Sequence, residues 1–328
     1  MKSVVYLALF SLLLFVSCQS NEQSTSSQKQ ETQDLIQNPF YNADSAYVFV
    51  ANQVAFGPRE PNTDAHKKCG DYMVATLQRF GAEVTEQRVQ LKAYNNTILD
   101  ARNIIGSFNP EQKTRIFLCA HWDSRPYSDN DTDAANYHTP VQGANDGASG
   151  VGVLLELARL MQQVPPTIGV DIILFDAEDY GRPSFDKSAD IGDSFCLGSQ
   201  YWSRNPHKEG YKPKYGILLD MVGGKNPTFL QEYFSMLYAP DVVKMVWKKA
   251  HQLGYQDYFI SQPGNPVIDD HYYINKIANI PCIDIIHYSN QTGFVDTWHT
   301  IYDTMENIDK TTLGVVGRVV TAVVYSEK

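Results

Sequence analysis

Val151, Leu154, Leu155, Ala158 and Met161 recur at the three-and-four spacing of an amphipathic helix, and residues 170–175 that follow are apolar at every position but Asp171. This predicts a helix followed by a buried strand. The same patterning predicts a helix over 64–80, extended segments over 83–91, 101–108 and 115–120, strands over 215–219 and 281–287, and helices over 240–253 and 312–325. Strands separated by helix-length segments predict an α/β fold, a three-layer sandwich around a mixed, mainly parallel central sheet. In such sheets chemistry gathers outside the carboxyl ends of the strands.

The first residues do not belong to that pattern. Lys2 and Ser3 precede an apolar run over 4–16, too short to span a bilayer comfortably and of the length of a secretory signal core. The tetrapeptide FVSC at 15–18 resembles a bacterial lipobox, with Cys18 as the residue to be lipidated; an ordinary cleaved signal with an incidental Cys18 is the alternative. Residues 19–37 are mostly Gln, Ser, Thr, Asn and Glu, which bury too little apolar surface to offset ordering entropy. Three segments are therefore expected: a signal over 1–18, a disordered tether over 19–37 and a single domain over 38–328. The expected location is outside the cytoplasm, as a membrane-anchored periplasmic lipoprotein.

Composition narrows the function. Of 328 residues, 43% are hydrophobic, enough for a substantial core, and 37 Asp+Glu against 27 Lys+Arg leave a net charge of −10, which speaks against a nucleic-acid partner. Cys18, Cys69, Cys119, Cys196 and Cys282 show no CxxC spacing, so a cysteine-only zinc site is not supported and no disulfide pairing follows. HExxH, GxSxG and GxxxxGK[ST] are absent.

Polar residues instead collect at the predicted strand ends. The strand over 115–120 delivers His121-Trp122-Asp123-Ser124, a Gly-rich turn presents Asp146, and the strand over 170–175 delivers Glu178 and Asp179. The strand over 215–219 ends in Asp220, Asp269 lies upstream of the last strand, and His299 follows it. Carboxylates and imidazoles so placed are what a zinc site with an adjacent acid/base requires. Each also fits a plainer role: Asp146 as a helix N-cap, His121 as a satisfied core histidine, His299 as a surface residue. Adjacent Glu178 and Asp179 point to opposite sides of an extended segment, so one can hold a metal while the other reaches substrate.

The motifs HWDS, GANDGASG, FDAEDYG, LGSQYW, LLDMVGG and WHTIYDTMENID, in this order from about residue 56 to 309, resemble the zinc aminopeptidase superfamily. Within it, residues 267–271, 280–287 and 294–299 are most similar to the animal-type glutaminyl cyclases, which place a tryptophan before the last metal histidine, as Trp298 stands here. The resemblance implies a single zinc held by Asp146, Asp179 and His299, with Glu178 as proton shuttle and Asp220 and Asp269 forming a hydrogen-bonded chain behind it. Phe294 and Trp298 would wall the pocket, with Phe195 a weaker candidate. The implied reaction cyclises the N-terminal glutamine of a peptide or protein to pyroglutamate with release of ammonia. One departure stands out: the cyclases often carry Glu-Glu where this chain has Glu178-Asp179. The competing expectation is a two-zinc aminopeptidase, with His121 and Asp220 holding a second ion and Asp146 bridging. A non-catalytic surface lipoprotein would require these acids to be structural.

Overall fold

A computed structural model describes residues 39–188 and 192–328. The signal, Cys18 and the tether expected over 1–37 lie outside the described residues. Pro39–Lys328 clusters as one compact unit.

Helices α1 (Ala43–Val54) and α2 (Asp64–Arg79) precede strands β1 (Glu83–Lys92), β2 (Ile98–Phe108) and β3 (Arg115–His121). Helix α3 (Ala148–Gln163), strand β4 (Gly169–Phe175), helix α4 (Leu197–Arg204) and strand β5 (Gly216–Asp220) follow. Next come β6 (Phe229–Gln231), the short α5 (Tyr233–Tyr238), α6 (Pro240–Gln252) and β7 (Phe259–Pro263). The chain closes through α7 (Asp270–Tyr273), β8 (Cys282–Ile286), the two-residue β9 (Tyr288–Ser289) and β10 (Gly293–Phe294), and α8 (Lys310–Ser326). Asn42 and Thr63 cap α1 and α2 by accepting from Ser45 and His66 backbone N–H groups, which satisfies donors the first turn leaves free.

The central sheet has the order β1-β2-β4-β3-β5-β8. Strands β1, β2 and β4 pair antiparallel, whereas β4, β3, β5 and β8 run parallel, so the sheet is mixed and mainly parallel as the patterning predicts. Side chains alternate between its faces. Ile116, Leu118 and Ala120 of β3 face a core shared with α1, α2, α3, α6 and α8, while Phe117 and Cys119 face a second core closed by Trp202 of α4 and Ile274. Apolar burial on both faces, worth roughly 1.5–3 kcal/mol per large side chain, makes three layers out of one sheet. Gly152 permits α1 to approach α3: a Cβ there would meet Val50 Cγ2 at 2.5 Å. Among the described residues no helix is long and apolar enough to cross a membrane. Cys69, Cys119, Cys196 and Cys282 are free and buried.

Asp171, the polar exception in β4, is wholly buried and fully paired. Arg115 grips it through Nε (2.7 Å) and Nη2 (2.8 Å), and Ser107 Oγ and Tyr211 OH each donate at 2.7 Å. Removing one partner of such a network strands the others away from water. Asp171→Ala is expected to cost about 3 kcal/mol, read as a lower urea midpoint at unchanged slope. A second expectation concerns pH. Burial lowers the imidazole of His287 to about 4, so folding favours its neutral form. The unfolded chain takes up a proton near pH 6.5 that the folded chain does not until about 4, so stability is lost as pH falls through that window. His287→Gln should flatten the drop in Tm between pH 6.5 and 4 relative to the parent; equal slopes would remove His287 as its cause.

Candidate metal centre and substrate pocket

The sheet sets the site. His121 is the last residue of β3 and Asp220 the last of β5, neighbours across the parallel strands. Asp123 accepts the backbone N–H groups of Glu178 (3.0 Å) and Asp179 (3.1 Å), tying the acid pair after β4 to the end of β3. Asp303 does the same for the Gly-rich turn, accepting from Asn145 N (2.7 Å) and Asp146 N (3.0 Å). Helix α3 has Gly147, not Asp146, at its N-cap and no side-chain cap, so the capping role open to Asp146 in the sequence is not taken. Gly147 sits against β3: a Cβ would meet His121 O at 2.4 Å. Ala177, Met221 and His299 adopt the left-handed region at φ 53°, 47° and 53°, a conformation that costs non-glycine residues energy and concentrates at functional sites.

Two groups of potential ligands share Asp146. His299 Nε2 lies 3.1 Å from Asp179 Oδ1 and 3.6 Å from Asp146 Oδ2. On the other side His121 Nε2 lies 2.8 Å from Asp146 Oδ1 and 3.3 Å from Asp220 Oδ1. In each triad one donor atom per residue falls within 4.8 Å of the others, and all the residues are buried. Among the described residues, neither ring nitrogen of His121 nor Asp220 Oδ1 makes a well-directed hydrogen bond, close as these atoms lie to one another. Buried nitrogen and carboxylate donors converging at this spacing fit a divalent cation of the zinc type.

The electrostatics follow from burial. It pushes the Glu178 carboxyl well up; Asp179, Asp269 and Asp270 add to this, and His121 opposes it. Asp220 is likewise pushed up to about 7, chiefly by burial. For Asp146 burial acts in the same sense, but His121 and His299 outweigh it and hold the group below the usual carboxylate range.

Asp146, Glu178, Asp179, Asp220, Asp269 and His299 line one cavity of about 210 Å³, together with Phe195, Phe294, Trp298, Val267 and Ile268. The rings of Phe294 and Trp298 are 4.3 Å apart, and Trp298 stacks on His299 at 3.8 Å. A larger cleft of about 500 Å³ around His66 and Arg102 shares no lining residue with it. There His66 is paired with Asp176, and Arg102 with Glu86 and Asp71.

One expected link is not made. No direct hydrogen bond connects Asp220 to Asp269: Asp269 Oδ1 accepts from Asp270 N at 2.5 Å, and Asp220 Oδ1 lies 3.3 Å from His121 Nε2. Two carboxylates can bond to each other only when one carries a proton. Other parts of the site gave no signal in the sequence. Arg125 donates to Asp179 O (3.0 Å) and Oδ1 (3.3 Å) and grips Asp129 (2.6 and 2.8 Å), whose Oδ1 lies 3.5 Å from His299 Nδ1. Arg125 thus ties Asp179 and, through Asp129, His299 to one guanidinium.

Residues 103–324 match peptidase family M28, and the chain belongs to that family. Among solved structures, the glutaminyl cyclase of Bacteroides thetaiotaomicron bound to N-acetylhistamine is 56% identical, with a TM-score of 0.88 over 89% of this chain and 100% of that one. The glutaminyl cyclase of Tannerella forsythia is 52% identical, with a TM-score of 0.87 over 88% and 100%. A zinc-dependent exopeptidase of Parabacteroides distasonis is 56% identical, with a TM-score of 0.86 over 88% and 99%. The chain spans 56%, 39% and 61% of the lengths of the first curated relatives it matches.

Proposed function

We propose that this chain is a zinc-dependent glutaminyl-peptide cyclotransferase, acting on peptides or proteins that begin with glutamine. The observation that carries the reading is the small pocket in which a half-buried Glu178 stands beside a ligand triad under an aromatic wall. Cyclase neighbours at 52–56% identity over their whole length support it.

In this reading Asp146, Asp179 and His299 hold one zinc ion. Bound there, zinc supplies Lewis-acid polarisation of the substrate's γ-amide carbonyl. Phe294 and Trp298 pack against the glutamine side chain and exclude water from its amide. Glu178, as the carboxylate, accepts a proton from the α-amine as its nitrogen bonds to the side-chain amide carbonyl carbon, Cδ. It returns the proton to the amide nitrogen as the carbon–nitrogen bond breaks and ammonia leaves. A carboxyl whose pKa burial raises well above the usual carboxylate range holds a proton more readily than an exposed glutamate, which suits the return step. Asp220 and Asp269 line the same cavity as Glu178. We further propose that Cys18 is lipidated and that residues 19–37 tether the domain to a membrane outside the cytoplasm.

The test is mass spectrometry of two peptides, one beginning with Gln and one with Leu, incubated with the enzyme with and without a chelator. Loss of one ammonia from the Gln peptide alone, abolished by chelation, is expected. Release of the first residue from either peptide would instead assign His121, Asp146 and Asp220 to a second ion and the chain to the aminopeptidases.

A further inference from the structure

Glu178 is held through its backbone from both sides, because Asp123 accepts its N–H and its carbonyl accepts the N–H of Cys196 at 2.8 Å. Its side chain is held much more sparsely. Among the described residues only the Cys196 thiol donates to its carboxyl, with Sγ 3.1 Å from Oε1. The same sulfur lies within 4.8 Å of a carboxylate oxygen of Asp269. We propose that Cys196 is a positioning residue for the proton shuttle, its thiol fixing the Glu178 carboxyl in the rotamer that faces the substrate amide; this rests on the cyclotransferase reading above.

The placement of that sulfur is set by the backbone. Leu197 N donates to Ala177 O at 3.0 Å, and Gly198 lies so close that a Cβ would meet Asp176 O at 2.1 Å. Residues 196–198 are therefore docked along 176–178, and Cys196 itself sits in the left-handed region at φ 56°. A donor anchored this way costs little reorganisation at the moment of proton transfer. Its chemistry suits a group that changes protonation state. A thiol is a weak donor and a weak acceptor, so it can stay bonded to both the carboxylate and the carboxylic acid, where a guanidinium would lock Glu178 ionised. Burial pushes the Cys196 thiol well up, so it remains S–H.

Serine keeps a donor at this position and alanine does not, while both lose the bulk of the sulfur. With zinc content and Tm measured alongside, Cys196→Ala is expected to lower kcat roughly tenfold with KM within about twofold, and Cys196→Ser to recover most of that loss. Cys196→Val, also without a donor, takes the place of alanine should that variant fold poorly. Equal kcat for the serine and alanine variants, or a wild-type kcat in the alanine variant, would overturn the assignment. Should the parent enzyme release a first residue and form no pyroglutamate, the cyclotransferase reading falls separately. The serine-to-alanine ratio, read on that hydrolysis, would still decide what the thiol does.

Discussion

Glu178→Gln is expected to lower kcat by roughly 10²–10⁴-fold, the range for loss of a positioned acid/base group, while zinc content and KM stay close to the parent. The substitution is nearly isosteric. The contacts that Asp123 makes go to the backbone N–H groups of 178 and 179, so the acid-pair loop has no reason to move. What changes is proton capacity: an amide cannot accept the proton of the attacking amine. Loss of zinc together with activity would instead make Glu178 a ligand, and unchanged kcat would remove it from the chemistry. Asp179→Asn separates the neighbouring roles, because its Oδ1 sits 3.1 Å from His299 Nε2 and its loss should be felt first in metal content.

The fold was legible where one physical signal dominates. Buried strands such as β4 and amphipathic helices such as α3 follow from apolar periodicity, and their observed bounds differ from those expected by three residues or fewer at either end. Asp220 belongs to β5 itself rather than to the loop beyond it. The helix α1 was not foreseen, although Asn42 caps it, and the short β6, α5 and α7 were not either. These last pieces are held by tertiary contacts: Glu232, for example, accepts from Phe234 N, Ser235 N and Val267 N and pairs with His271 at 3.0 Å. A pattern read along the chain does not contain such a hub.

The same distinction applies to the site. Asp146, Glu178, Asp179 and Asp220 were found because each stands at a strand end or Gly-rich turn where an acid is out of place in a plain core, whereas Asp269, the cap of α7, and His299 were found through the motifs that resemble the cyclases. Arg125 and Asp129 were not, since a buried ion pair in a Pro- and Ser-containing loop has no periodicity, and its meaning comes only from Asp179 and His299 arriving beside it. Cys196 is hidden for the same reason: a buried cysteine reads as a small apolar residue until the carboxyl of Glu178 lies against it.

Metal removal should abolish turnover, and the histidines decide which ligands matter. His299→Ala is expected to lose zinc and essentially all activity, because it removes the only neutral donor of its triad and leaves Asp146 and Asp179 facing each other. His121→Ala is expected to keep one zinc per chain and activity within about tenfold, since Asp146 Oδ2 still faces His299 and only the partner of Oδ1 is gone. Stability follows occupancy: an ion bound to the folded chain alone, at about a thousandfold over its Kd, stabilises by roughly 4 kcal/mol, so chelation should lower Tm for the parent and for His121→Ala but hardly for His299→Ala. The measurement is zinc per chain, Tm and kcat on the same preparations. Two zinc ions in the parent, one in each variant and activity lost in both would mean that Asp146 bridges a pair of ions, and the single-zinc cyclotransferase would give way to a two-metal hydrolase.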